Sequence, residues 1–140
     1  MPSRVVKLLA MGMAAALFAV APVSAQDKVK VGAIYPLSGN VASQGNSSKA
    51  AIELAVEIVN GVFPDLKDLP LAATAGLPNL NGAKLEVVFA DNQGTPAAGQ
   101  NQALRLITEE KVVALTGAYQ SGITLTVSAI AEKYGIPFLN

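Results

Sequence analysis

The 140-residue sequence contains no cysteine, no histidine and no tryptophan. Without cysteine the chain has no disulfide and no thiol nucleophile. Without histidine it has neither a Ser-His-Asp triad nor a histidine-containing metal site. Carboxylates alone can perform acid–base chemistry, but five glutamates fall on predicted helix surfaces, where solvated charge is the better interpretation: Glu53, Glu57, Glu109, Glu110 and Glu132. The sequence therefore argues against an enzyme and predicts no cofactor and no metal.

The first 25 residues have the three parts of a secretory signal peptide. Arg4 and Lys7 give a positively charged start, residues 8–20 are apolar, and Val-Ser-Ala at 23–25 supplies the small residues of a cleavage site. A transmembrane anchor is the alternative, but the apolar run is shorter than the ~20 residues that span a bilayer. We therefore predict cleavage after Ala25 and a periplasmic mature protein.

Charge and glycine patterns argue against nucleic acid and nucleotide ligands. The sequence has ten basic and ten acidic residues, and cleavage after Ala25 removes two basic ones, which leaves a net charge of about −2. Surfaces that bind nucleic acids are basic, so no nucleic-acid partner is expected. No G-x-G-x-x-G follows the first predicted strand and no G-x-x-x-x-G-K-[ST] occurs, which disfavours a dinucleotide or P-loop site.

Apolar runs alternate with amphipathic segments along the mature chain. The predicted strands are 28–35, 83–90, 112–117 and 136–139, and the predicted helices are 47–60, 96–110 and 121–134. This alternation predicts an α/β fold, a mostly parallel sheet with helices on both faces and right-handed crossovers. The segment 61–82 has three prolines and three glycines. It is long for a connection between such elements, and we predict a surface insertion.

Polar and glycine residues at the segment ends predict where the helices begin and end. Asn46 or Ser47 is expected to cap the first helix and Thr95 the second, because short polar side chains satisfy free N–H groups there. Gly61 and Gly135 are expected to end the first and third helices.

The ligand site of an open parallel sheet lies beyond the carboxyl ends of the strands, where the strand order reverses. In the order 2-1-3-4 this point lies between the first and third strands, so the loops 35–46 and 117–122 are predicted to face it. The second loop leads into a helix, whose free N–H groups and dipole favour an anion such as a carboxylate. A plain cap is the alternative role for Ser121, and the two roles can coexist.

Three stretches in this order behind a signal peptide resemble a known family: VKVGAIYPLSGNVASQGNSSKAAIELAVEIVNG, FADNQGTPAAGQNQALRLI and VVALTGAYQSGITLTVSAIAEKYGIPFLN. They are similar to the amino-terminal portion of periplasmic solute-binding proteins of branched-chain amino acid (Leu/Ile/Val-type) ABC transporters. The resemblance implies a two-lobed type I periplasmic binding protein fold, with residues 26–140 forming part of the first lobe. It implies an amino acid or related small carboxylate in the interlobe cleft, an inner-membrane ABC permease as partner, and a monomer at full length.

The same resemblance implies a set of ligand-binding residues. Ser121 matches the serine whose hydroxyl and neighbouring amide receive the ligand's α-carboxylate, and Thr124 lies one turn further along. The residues implied to flank the pocket or border the ligand side chain are Tyr119, Gln120, Ser38, Gly39 and Gln44. Some members join the turn after the second strand to the loop after the third by a disulfide, which a cysteine-free chain lacks.

The last predicted strand has no helix after it, which predicts that the chain is a fragment of a longer precursor. Two other functions stay open at this point. One is a ligand-sensing lobe of a signalling protein, which a downstream kinase or transmembrane segment would favour. The other is a fragment of an exported α/β enzyme, which catalytic motifs further along the gene would favour.

Overall fold

Strands and helices alternate in the computed structural model, which describes residues 28–140. The strands are β1 (Lys28–Tyr35), β2 (Lys84–Asp91), β3 (Ala114–Gly117) and β4 (Phe138–Leu139), and the helices are α1 (Ala42–Asn60), α2 (Pro96–Thr108) and α3 (Ser121–Tyr134). All strand pairs are parallel and the order is β2-β1-β3-β4. The predicted α/β fold and strand order are confirmed. The predicted signal peptide lies outside the described residues.

The two faces of the sheet are covered by different helices. α2 and α3 pack on one face, where the main core forms. Its most deeply buried side chains are Ile34, Leu106, Leu115, Ile123 and Val127. α1 contacts β1 and β2. The Lys49 ammonium of α1 lies 5.4 Å from the ring centre of Phe89, which alternates along β2 with the core residue Ala90 and so points to the opposite face.

Two strands are shorter than predicted because hydrogen bonds to helices engage their first residues. The Val112 N–H donates to the Leu106 carbonyl at 3.2 Å and not to a neighbouring strand, and β3 begins at Ala114 instead of 112. Likewise the Ile136 N–H donates to the Ala131 carbonyl at 2.9 Å, and β4 is only Phe138–Leu139. Both amides close the end of the preceding helix, which removes them from the sheet.

The predicted start of α1 is wrong. α1 begins at Ala42, five residues before the predicted start at 47. The predicted caps lie inside the helix: Asn46 Nδ2 donates to the Ala42 carbonyl at 2.8 Å, and Ser47 Oγ donates to the Ser43 carbonyl at 3.0 Å. Side chains that bond one turn back along the helix cannot cap its free N–H groups.

A close approach to the end of β1 explains the early start. Gly45 is buried in the first turns of α1, and a Cβ at this position would overlap the Pro36 carbonyl group. The helix can begin here because glycine leaves room for that backbone. At its other end the Gly61 N–H donates to the Glu57 carbonyl at 2.9 Å, so the predicted stop is confirmed.

The other helix ends follow the sequence signals more closely. Thr95 Oγ1 accepts from the Ala98 N–H at 3.2 Å and caps α2, as predicted. α2 ends at Thr108 and not at 110, since the Glu110 N–H donates to the Arg105 carbonyl five residues back and breaks the helical spacing of four. Gly135 ends α3 with a φ of 65°, the left-handed conformation that glycine adopts most readily.

Between α1 and β2, the segment 61–82 forms two short 3-10 helices, Pro70–Ala72 and Pro78–Leu80. The Phe63 N–H donates to the Ala72 carbonyl and the Gly76 N–H to the Val59 carbonyl, both at 2.8 Å. The first bond closes the largely exposed segment on itself, and the second attaches it to the carboxyl end of α1. Within residues 28–140, no helix has the length and apolar character that crossing a membrane requires.

Candidate ligand-binding site

The crevice of the sheet lies between the carboxyl ends of β1 and β3. These strands are neighbours, and Ile34 of β1 is in register with Gly117 of β3. The chain leaves β1 toward α1 on one face and leaves β3 toward α3 on the other. The strand order therefore reverses between them, which is where open parallel sheets bind ligands.

Ser121 is the first residue of α3 and does not cap the helix. Gln120 occupies the cap position and makes no side-chain cap hydrogen bond. The amides that Ser121 was expected to satisfy, those of Ile123 and Thr124, both donate to the Gln120 carbonyl at 2.9 Å. The interpretation of Ser121 as a plain cap is therefore wrong, because the backbone already supplies the acceptor.

Unpartnered donors surround the start of α3. Across residues 28–140, the Ser121 hydroxyl and the N–H groups of Ser121 and Gly122 have no hydrogen-bond partner. Both residues are exposed, and a Cβ on Gly122 would meet no atom within 4 Å. Free N–H groups at the positive end of a helix dipole attract an anion. The arrangement can therefore bind a carboxylate.

A tight turn carries the chain from β3 to this helix start. The Gln120 N–H donates to the Ala118 carbonyl at 2.9 Å, and Tyr119 between them has a φ of 71°. A bulky residue with a positive φ is unusual, and such strained backbone clusters at functional sites. Tyr119 is 53% exposed. Gln120 Oε1 is buried without a partner in the described part of the chain.

The loop after β1 is held by the carboxylate that ends β2. Asp91 Oδ1 accepts from the N–H groups of Leu37 at 2.9 Å and Gln93 at 2.8 Å, and Asp91 Oδ2 accepts from Ser38 Oγ at 2.6 Å. Partial burial raises the pKa of Asp91, but the hydrogen bonds from Ser38 and the three backbone amides together lower that pKa below its ordinary value. The Ser38 hydroxyl is therefore engaged within the protein.

Gly39 and Gln44 lie on the same side of the crevice as Ser38. Gly39 has a φ of 81° and its carbonyl accepts from the Ala42 N–H at 3.2 Å, which turns the chain into α1. Gln44 is exposed in the first turn of α1. Ser38, Gly39 and Gln44 thus lie in the loop after β1 and the first turn of α1, whereas the other four predicted residues lie around the α3 start. Their role in binding a ligand stays a prediction.

Gly94, in the turn after β2, links the two groups. A Cβ on Gly94 would lie 3.7 Å from Gln120 Oε1 and 3.9 Å from Val41 Cγ2. The turn after β2 therefore packs between the loop after β1 and the loop after β3. Residues 28–140 contain no group of three acidic side chains that could hold a metal ion.

Sequence reasoning missed Asn92, which joins two of these segments. Asn92 is fully buried, its Nδ2 donates to the Ala118 carbonyl at 3.1 Å, and its Oδ1 accepts from the Gly94 N–H at 2.9 Å. The turn after β2 and the loop after β3 are thereby connected without a disulfide. A polar residue directly after a predicted strand was the available signal.

Asn140 was also missed, although it follows the last strand at the same edge. Its Nδ2 donates to the Gly117 carbonyl oxygen and to Thr124 Oγ1, the latter at 2.9 Å. The Asn140 side chain, which follows β4, therefore connects the end of β3 to Thr124, one of the residues that the family resemblance implies.

Comparison with known proteins places this architecture in a family. Residues 28–140 match the family described as periplasmic binding protein. The chain belongs to the periplasmic binding protein family. Leu/Ile/Val-binding protein homolog 7 of Brucella suis is 33% identical over 135 residues, which cover 94% of this chain and 28% of the relative. The predicted resemblance to Leu/Ile/Val-type binding proteins is confirmed.

Solved structures of periplasmic binding proteins agree with this assignment. A branched-chain amino acid transporter substrate-binding protein from Streptococcus pneumoniae, in complex with isoleucine, gives a TM-score of 0.63 at 27% identity, covering 80% of this chain and 28% of that protein. An ABC transporter solute-binding protein from Rhodopseudomonas palustris BisB5, in complex with 3,4-dihydroxybenzoic acid, gives a TM-score of 0.62 at 27% identity. The match covers 80% of this chain and 26% of that protein. This periplasmic binding protein chain therefore spans about a quarter of these relatives' length.

Proposed function

We propose that this chain forms part of the first lobe of an extracytoplasmic solute-binding protein. The protein would hold the carboxylate of an amino acid or related small acid at the start of α3 and present the ligand to an inner-membrane ABC permease. The observation that carries the proposal is Ser121, whose exposed hydroxyl and adjacent N–H groups have no partner elsewhere in residues 28–140. These donors lie at the point where the strand order reverses.

The ligands of two relatives support a carboxylate as the recognised group. Isoleucine and 3,4-dihydroxybenzoic acid, held by the relatives from Streptococcus and Rhodopseudomonas, have unlike bodies but share a carboxylate. A cluster of hydroxyl and N–H donors matches that shared group through charge-assisted hydrogen bonds. The residues that contact the rest of the ligand then decide between an aliphatic amino acid and an aromatic acid.

The proposal includes a two-lobed protein with the ligand between the lobes. Residues 26–140 would supply one wall of the cleft, a second lobe would supply the other, and 61–82 would be a surface insertion. Removal of the signal peptide after Ala25 would leave a soluble periplasmic monomer. The relatives are binding proteins by name, and the proposed role is binding without catalysis.

Calorimetric titration of the full-length protein tests the proposal. We expect binding of isoleucine or of 3,4-dihydroxybenzoate, and weaker binding of the corresponding carboxamide. Ser121→Ala removes one hydrogen bond to a charged group, which is worth about 1.5–3 kcal/mol, so affinity for the acid should fall about 10- to 150-fold.

A serine elsewhere on α3 provides the matched control. Ser128 Oγ donates to the Leu125 carbonyl of its own helix at 3.0 Å, so Ser128→Ala should change affinity less than about twofold. Equal affinities of wild type and Ser121→Ala for both acids would contradict the proposed site. Failure of the full-length protein to bind either acid would contradict the proposed ligand class.

A further inference from the structure

Asn140 has a side-chain orientation that its partners determine. One partner is the Gly117 backbone carbonyl, which can only accept a hydrogen bond. The nitrogen and not the oxygen of the Asn140 carboxamide must therefore face Gly117. The same nitrogen lies 2.9 Å from Thr124 Oγ1. Because the amide nitrogen has two hydrogens and no acceptor capacity, both contacts must be donations from Asn140.

This donation fixes the direction of the Thr124 hydroxyl. The hydroxyl oxygen accepts from Asn140, so its single hydrogen must point to another group. Five other helical hydroxyls donate to a carbonyl three or four residues earlier in the same helix, and they belong to Ser47, Ser48, Thr108, Thr126 and Ser128. Thr124 makes no such bond within residues 28–140. Its hydrogen is therefore available to a ligand.

Two backbone acceptors near the helix start are engaged by other side chains. The Gly117 carbonyl accepts from Asn140, and the Ala118 carbonyl accepts from Asn92. The hydroxyls of Ser121 and Thr124 remain as donors beside the free N–H groups. The α3 start thus offers hydrogens to the crevice, while the carbonyl oxygens of Gly117 and Ala118 are bound.

We propose that Asn140 is a positioning residue that sets ligand specificity, by making the Thr124 hydroxyl a donor to the ligand's carboxylate. The proposal rests on the proposed function, because it concerns the same carboxylate site. A carboxylate accepts at both oxygens, whereas the nitrogen of a carboxamide of the same shape only donates and would face other donors. Asn140 therefore favours acids over their amides.

A double-mutant cycle on the full-length protein tests this role. Calorimetry would measure the affinities of isoleucine and isoleucinamide, or of 3,4-dihydroxybenzoate and its carboxamide, for wild type, Asn140→Ala, Thr124→Val and the double variant. Asn140→Ala frees the Thr124 hydroxyl to rotate, and the ratio of acid to amide affinity should fall about 3- to 10-fold. In the Thr124→Val background the same substitution should leave the ratio unchanged.

Asn140→Asp provides a second, shape-preserving variant. The introduced carboxylate can only accept, so the Thr124 hydroxyl would donate to it and present its oxygen to the ligand. The introduced negative charge also disfavours the acid directly, so Asn140→Asp is compared with and without Thr124→Val: the acid-to-amide ratio should fall further when the Thr124 hydroxyl is present. Thermal unfolding would verify that each variant is folded.

The outcomes separate the two proposals. If Asn140→Ala lowers the ratio equally with and without the Thr124 hydroxyl, Asn140 does not act through Thr124 and the inference is wrong, while the carboxylate site remains. If Asn140→Ala leaves the ratio unchanged in a wild-type protein that prefers the acid, the inference is also wrong. If the wild type shows no preference for acid over amide, the proposed function fails and this inference fails with it.

Discussion

The loops after β1 and β3 end at the same edge of the sheet and both carry a serine, but the two serines differ in their surroundings. The Ser38 hydroxyl lies 2.6 Å from Asp91 Oδ2, whereas the Ser121 hydroxyl has no partner in the described chain. The neighbouring strands explain the difference. β1 is paired with β2, which ends in Asp91, while β3 lies between strands that end in Tyr35 and Leu139.

This contrast indicates that the partner of a serine at a sheet edge depends on the strand beside it. An adjacent carboxylate turns the loop after β1 into a fixed wall of the crevice. Without such a neighbour, the donors after β3 stay available to a ligand. Experiments that change one loop should therefore affect stability, and experiments that change the other should affect binding.

Asp91→Ala should have the largest effect on stability. The substitution leaves the N–H groups of Leu37 and Gln93 and the Ser38 hydroxyl without their acceptor. Partial exposure lets water replace some of these bonds, and the free energy of unfolding should fall by about 2 kcal/mol. Chemical denaturation of the full-length protein measures this loss. Asp65→Ala, at an exposed position in 61–82, should change it by less than about 0.5 kcal/mol. Equal losses in the two variants would show that the β1 loop is not held by Asp91.

Ser38→Ala and Ser121→Ala should separate stability from binding. Ser38→Ala removes one hydrogen bond to a carboxylate, so the free energy of unfolding should fall by about 1 kcal/mol and ligand affinity should fall less than in Ser121→Ala. Ser121→Ala removes no hydrogen bond within residues 28–140, and its unfolding should match that of wild type within about 0.5 kcal/mol. The comparison breaks down if Ser121→Ala is the more destabilising of the two.

Local sequence signals predicted most of the fold. The bounds of β1 and α3, the Thr95 cap and the Gly135 stop depend on residues close in sequence, and the structure confirms them. The start of α1 was missed because it depends on the packing of Gly45 against Pro36, a contact outside the helix. Polar side chains near a helix start were an ambiguous signal, since they can bond within the helix as well as cap it.

Local sequence signals could not predict which polar groups in the crevice are hydrogen-bonded within the protein. Ser38 and its acceptor Asp91 are 53 residues apart, and Asn140 reaches a carbonyl 23 residues away. The sequence placed Ser121 at the helix start, but whether its hydroxyl is free depends on which distant residues the sheet brings near it. Hydrogen-bond partners of this kind become known only when the strand register is known.

The smallest expected effect is a difference in pH dependence between the loops. Burial raises the pKa of Asp91, but the hydrogen bonds from Ser38 and the backbone of Gln93, Leu37 and Ser38 outweigh it and lower the folded-state pKa. A carboxyl whose pKa is lower in the folded state stabilises the fold above its unfolded value of about 3.9, and this stabilisation is lost as the pH falls through the folded value.

Asp91→Asn should therefore flatten the acid side of the stability curve. Its free energy of unfolding should lie below that of wild type near neutral pH. The difference between the two proteins should narrow below about pH 4, where the wild-type carboxylate becomes protonated.

Hydrogen bonding to Lys28 lowers the pKa of Glu86 as well, but both proteins retain Glu86, so its contribution cancels in the difference. The free energy of unfolding of Ser121→Ala should depend on pH in the same way as that of wild type, because the loop after β3 has no carboxylate to titrate. Denaturation series from pH 7 to pH 3 would measure the three curves. A gap between wild type and Asp91→Asn that stays constant down to pH 3 would show that the Asp91 charge does not stabilise the β1 loop, and the contrast with the β3 loop would then rest on the uncharged hydrogen bonds alone.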